Sequence, residues 1–94
     1  MIQITEKSVL QRMEQVPFKE ILQEGILLDL VTGDYFAIDE VGLFIWKAMD
    51  GKKKLGQIAE RIVAQYEVTR TKALSDALAF ANGLLKKKLV KFLL

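Results

Sequence analysis

The sequence predicts an α+β domain, and three observations lead there. Between Phe18 and Ile38, short apolar runs are separated by turn residues. After Ile38 the apolar spacing lengthens to the helical i, i+3, i+4 pattern and keeps it to about residue 88. With 94 residues, 51% of them apolar, the chain has material for one core and little room for a second, so residues 1–94 read as a single domain. Strands first and helices after them argue for helices packed on one face of a small antiparallel sheet.

The elements follow in order. Residues 1–7 are polar enough to fray, and residues 8–12 fit either a strand or the start of a short helix. Residues 18–22 read as a strand, Gln23-Glu24-Gly25 as a tight turn, and residues 26–31 as a second strand. Thr32-Gly33-Asp34 is a turn cluster in which the glycine supplies a positive φ, and Tyr35-Phe36-Ala37-Ile38 is an aromatic and β-branched third strand. Asp39 is a good N-cap, with Glu40 adding negative charge to the first turn of a helix over 40–49 that Asp50-Gly51 ends. Leu55, Ile58, Ala59, Ile62, Val63 and Tyr66 mark a second helix. Thr69 or Thr71 caps a third, whose apolar stripe is Ala73, Ala77, Phe80, Ala81, Leu84 and Leu85. Residues 89–94 can close as a strand. A hairpin beside a trihelical unit gives a winged-helix-like domain with a three-stranded antiparallel sheet followed by three helices.

Composition excludes several functions. With no cysteine there is no disulfide and no thiolate; with no histidine as well, the commonest general base and metal ligand are missing and triad chemistry is impossible. The expectation is a non-enzyme with no cofactor and no metal. No apolar run is long enough to span a bilayer and the N-terminus lacks a secretory pattern, so no membrane contact and a cytoplasmic location are expected. A net charge of +2 is too small to argue for nucleic acid. Lys52-Lys53-Lys54 and Lys86-Lys87-Lys88 with Lys91 read as a solvated helix end and a favourable contact with a helix C-terminus, or as contacts for an acidic partner.

Two features are candidates for function. The strand Tyr35, Phe36, Ala37 and Ile38 carries neither charge nor proline, the usual protections of a sheet edge. It is either an interior or covered strand, or a rail on which an extended peptide docks. On the third helix Lys72, Asp76, Ala79 and Gly83 share one stripe, with Lys87 at its far end. Gly83 costs about 1 kcal/mol relative to alanine in a helix, so it serves either close packing against a neighbouring helix or a groove for a bulky partner residue. One lysine, one aspartate and two small residues make a poor DNA-recognition face. Trp46 and Phe44 read as core aromatics, and Asp39 and Glu40 as capping residues.

The run from Ile26 to Trp46, containing Thr32-Gly33-Asp34-Tyr35-Phe36, resembles the PqqD-like family. Asp50-Gly51, Gln57-Ile58-Ala59-Glu60, Tyr66-Glu67-Val68, Asp76 with Ala79-Phe80, Leu84-Leu85 and Leu89-Val90 continue the likeness, which covers about residues 18–92. The resemblance implies a recognition element for ribosomally synthesised, post-translationally modified peptides (RiPPs). Such an element takes the precursor's leader segment as an extra strand on the third sheet strand, against the third helix. Carried onto this sequence, the peptide-binding residues are Tyr35, Phe36, Ala37, Ile38, Lys72, Asp76, Ala79, Phe80 and Gly83. The Thr32–Phe36 and Ile45-Trp46 pieces look most like the leader-binding protein of lasso-peptide pathways. That likeness implies a leader peptidase and a macrolactam cyclase as further partners, and tyrosine and proline as common leader anchors. The chain departs from the family at positions 77 and 81, where alanines replace larger aliphatics. The alternatives are a PqqD-like chaperone of another pathway, such as pyrroloquinoline quinone synthesis, a winged-helix DNA-binding protein, and a small-molecule carrier or carboxylate-based enzyme. An open sheet edge also allows a homodimer.

Overall fold

The computed structural model describes residues 3–93. Two three-stranded antiparallel sheets flank the helices. The first takes β1 (Val9–Arg12) as its centre, with β5 (Asp50–Lys54) and β6 (Val90–Leu93) on either side. The second is sequential: β2 (Phe18–Ile21), β3 (Glu24–Leu28) and β4 (Tyr35–Ile38). The helices are α1 (Glu40–Ala48), α2 (Leu55–Gln65) and α3 (Arg70–Lys86).

The sequential sheet and the three helices are those the sequence predicts, and the winged-helix comparison holds only loosely. The expected helix end at 50–54 is instead a strand, and it falls between α1 and α2. The Asp50 carboxylate accepts from the backbone N–H groups of Lys52 (2.9 Å) and Lys53 (3.2 Å) and pairs with the Lys53 ammonium. That local cage sets β5 against β1, with Gln11 opposite Asp50 and Val9 opposite Lys54. Residues 8–12 resolve as strand, because β6 returns to pair with them from Val9↔Leu93 to Arg12↔Val90. Leu94 of the expected last strand lies outside the described residues, as do Met1 and Ile2 of the segment expected to fray. From Glu6 onward that segment is tied to α2: the Glu6 carbonyl accepts from Gly56 N–H (2.8 Å) and the Ser8 carbonyl from Leu55 N–H (2.9 Å).

In the second sheet the first turn sits earlier than 23–25. Ile21 pairs with Glu24, so the loop is Leu22-Gln23, with Leu22 in the left-handed region at φ 61°. β3 ends at Leu28, short of the expected Val31, because the Asp29 side chain turns back to accept from Val31 N–H (2.9 Å) and Thr32 N–H (3.3 Å). Gly33, at φ 81°, completes that turn. Asp39 caps α1 by accepting from Gly42 N–H at 2.7 Å, and Thr69 caps α3 by accepting from Lys72 N–H at 3.2 Å.

Trp46 is fully buried beside Ile45, Met49, Leu27 and Leu10, with Phe18 meeting its ring edge-on at 6.0 Å. Its indole N–H has no hydrogen-bond partner, a cost that its large buried ring outweighs. Phe44 is half-buried against Tyr66 at 5.9 Å. Ala73, Ala77 and Ala81 are fully buried on the inner face of α3. Alanines there let α2 and α3 approach closely, so positions 77 and 81 belong to the core.

Lys53 holds the Asp50 carboxyl at about 2, below its ordinary 3.8; burial opposes this, and the Lys52 and Lys53 amides assist it. The folded chain therefore gives up this proton more readily than the unfolded chain. The stability contributed is complete above about pH 4 and is lost as pH falls toward about 2. Asp50→Asn is expected to lower the urea midpoint at neutral pH, and the difference from the parent is expected to shrink near pH 2.

Candidate functional site

Antiparallel pairing decides which main-chain groups of the second sheet are occupied. Leu28 N–H bonds the Pro17 carbonyl at 3.0 Å, and Asp29 N–H bonds the Asp34 carbonyl at 2.9 Å. With the register Leu28↔Tyr35 to Gly25↔Ile38, strict alternation follows. Phe36 and Ile38 turn their N–H and C=O groups toward β3. Tyr35 and Ala37 turn theirs outward, where no other strand pairs with β4 among the described residues.

Among the described residues β4 is one of four sheet edges, and the other three are protected. β2 carries Lys19 and Glu20 behind Pro17, β5 carries Lys52, Lys53 and Lys54, and β6 carries Lys91. Only β4, Tyr-Phe-Ala-Ile, has neither charge nor proline.

A groove of about 280 Å³ runs between β4 and α3. Leu27 and Leu84 form its floor, Phe36, Ala37 and Ile38 one wall, Ala79, Phe80 and Gly83 the other, and Lys87 one end. Gly42 of α1 packs against a residue of each wall. A Cβ there would lie 3.3 Å from both Ile38 Cβ and Phe80 Cε1, so its absence lets α1 abut both walls. Gly83 is the reverse case: a Cβ added to it would meet nothing within 4 Å. Close packing against a neighbouring helix therefore does not explain this helical glycine; it faces open groove.

Six of the nine expected residues come together here: Phe36, Ala37, Ile38, Ala79, Phe80 and Gly83. Tyr35 is on the free edge, but its side chain is 71% exposed and lies on the opposite face of the sheet from Phe36. Lys72 and Asp76 pair with each other at 3.3 Å on the N-terminal half of α3 and do not line the groove. Leu27, Leu84 and Lys87 complete the lining. Leu84 and Lys87 stand one turn beyond Phe80 and Gly83, so helical spacing carried that signal. The Lys87 ammonium lies over the Phe36 ring, 5.1 Å from its centroid.

Larger concavities exist. One of about 460 Å³ lies between the β2–β3 turn, α1 and α2, rimmed by Glu20, Glu40, Lys47, Lys53 and Arg61. Its charges are in part mutually satisfied, as in Lys47–Glu20, and the edge strands that reach it, β2 at Glu20 and β5 at Lys53, both carry charge. Burial raises the Tyr66 hydroxyl above its ordinary pKa there, as do Glu40 and Asp39. No group of three or more metal-ligating side chains occurs among the described residues, and no helix is long and apolar enough to cross a membrane.

A family model described as coenzyme PQQ synthesis protein D (PqqD) matches residues 24–90. No curated protein matches the chain. Among solved structures, TbiB1 in complex with the TbiA(beta) leader peptide is 33% identical, with 86% of this chain and 94% of that one covered and a TM-score of 0.77. A lasso peptide synthetase B1 complexed with the leader peptide is 20% identical, with 87% and 96% covered and a TM-score of 0.77. The PqqD truncation of Methylobacterium extorquens PqqCD, described as a stand-alone RiPP recognition element, is 20% identical, with 94% of each chain covered and a TM-score of 0.79. At 20% identity the latter two show the fold alone.

Gly83→Ala is expected to raise stability by about 0.5–1 kcal/mol, because helix propensity improves and nothing is crowded. A bulkier Gly83→Leu is expected to fill the groove without unfolding the chain. Thermal melts measure the first effect, and the groove's loss shows as weakened binding of any ligand it holds.

Proposed function

Because the chain belongs to the PqqD family, we propose that it binds the leader segment of a ribosomally made precursor peptide as a fourth strand along β4. The observation that carries this reading is the single unprotected sheet edge lying beside an apolar groove. The outward N–H and C=O groups of Tyr35 and Ala37 offer a register of main-chain bonds. Every second side chain of the added strand turns into the groove, between Phe36 and Ile38 on one wall and Ala79, Phe80 and Gly83 on the other. Each bond is worth about 0.5–1.5 kcal/mol net, and a buried apolar anchor up to about 3 kcal/mol before ordering costs. A 33%-identical protein solved in complex with a leader peptide supports the same reading.

The role is recognition without catalysis: the chain holds the leader and presents the remainder of the precursor to modifying enzymes. We assign it to lasso-peptide biosynthesis, with a leader peptidase and a macrolactam cyclase as the enzymes served, in the cytoplasm. The Thr32–Phe36 and Ile45-Trp46 pieces support that assignment. Where the peptide outruns β4, Lys72 and Asp76 give it polar contacts that set its register. Tyrosine and proline are the anchors that suit the groove.

The test is a backbone N-methyl scan of a leader peptide, beginning with the TbiA(beta) leader bound by the 33%-identical relative, titrated against the purified chain. Methyl groups at alternate positions are expected to weaken binding by about tenfold or more, while those between have little effect, since each lost main-chain bond also strands its partner. A flat profile contradicts strand addition. Ala37→Pro removes an outward N–H and is expected to weaken binding. Phe36→Pro strikes the bond to β3 instead and is expected to destabilise the sheet.

A further inference from the structure

We infer that the peptide held in the groove carries a carboxylate side chain two residues from its buried apolar anchor, and that Lys87 receives it. This deepens the strand-addition reading, rests on it, and states which peptides the site selects.

The groove has one charged lining residue. Its floor and both walls are apolar, and Lys87 alone brings charge to it. No carboxylate lies within ion-pairing distance of Lys87 among the described residues. Lys47, Lys53 and Lys72 are paired with Glu20, Asp50 and Asp76; of the lysines without an ion pair among the described residues, Lys87 is the one that lines the groove. The Phe36 ring holds the ammonium at the groove's rim, 5.1 Å from the ring centroid. Lys86 and Lys88 stand exposed at the same helix end and add to the positive field. Asp34 precedes Tyr35 at this end of the strand, and no ion pair joins it to Lys87.

Register supplies the spacing. Side chains of an added strand enter the groove at every second residue. One opposite Ile38 meets Phe80, since Ile38 and Phe80 line facing walls and both pack against Gly42. The next, opposite Phe36, meets the Lys87 end. The first position lies between Ile38 and Phe80, is apolar, and takes the anchor. The second ends beneath a cation with no ion-pair partner among the described residues, where a carboxylate is the complement.

A random library of strand-length peptides, displayed on phage and selected against the full chain and against Lys87→Glu, tests this. Both proteins are expected to enrich an aromatic or aliphatic anchor. The parent is expected to add Asp or Glu two positions from it, and Lys87→Glu to replace that residue with Lys or Arg. A peptide selected on the parent is expected to lose about tenfold in affinity for Lys87→Glu, the scale of a close and partly desolvated charge pair, and to keep its affinity for Lys87→Arg. Lys87 is exposed, so a thermal melt is expected to show both variants folded. Anchors enriched without a charged residue at that spacing overturn the inference and leave strand addition standing. A library that yields no binder sensitive to Ala79→Trp, which fills the groove, overturns strand addition and this inference with it.

Discussion

Everything at the site depends on a main-chain constraint. β3 is bonded on both sides, so β4 takes its partners from one side only, and alternation leaves Tyr35 and Ala37 with outward donors and acceptors. The chain offers these groups no strand of its own among the described residues. Water satisfies them in the free protein, and an extended peptide satisfies them at the cost of its ordering entropy. The other sheet edges carry lysine, glutamate or a preceding proline, so a visiting strand is steered to this one.

An open edge alone binds any extended chain weakly. Selectivity comes from the groove beside it, and the groove exists because α3 divides its small residues between two faces. Ala73, Ala77 and Ala81 face α2 and draw the helices together. Ala79 and Gly83 face β4 and hold space open. Gly83 breaks a local rule, giving up helix stability where no neighbour needs the room. Such departures from consistency gather at functional positions.

Much of this was legible in the sequence. Turn residues and the change from strand to helix spacing located β4, the three helices and the cap Asp39, and narrowed the α3 cap to Thr69 or Thr71. The lack of charge in Tyr35–Ile38 fitted either a covered strand or an open edge, and only the sheet order decides for the edge. Other parts were hidden by their physics. β5 is Asp-Gly-Lys-Lys-Lys, with no apolar alternation to announce it, and it exists because β1 and the Asp50 side chain hold it. The β1–β6 pairing joins opposite ends of the described chain, which no local pattern encodes. Lys72 and Asp76 share a helical stripe with Ala79 and Gly83 but lie beyond the groove. A helix of 17 residues runs about 25 Å, while a strand of four covers about 13 Å, so β4 flanks only half of α3. Periodicity finds a face; it does not say how much of that face a neighbour reaches.

Residue-resolved amide hydrogen exchange, with and without the cognate leader peptide, tests the central claim most directly. In the free protein, Phe36 and Ile38 amides are predicted to be protected by β3 while Tyr35 and Ala37 exchange freely. On adding the peptide, Tyr35 and Ala37 are predicted to become protected, with the β2 edge unchanged. Protection that appears on β2, or binding that leaves Tyr35 and Ala37 exchanging as before, contradicts the account.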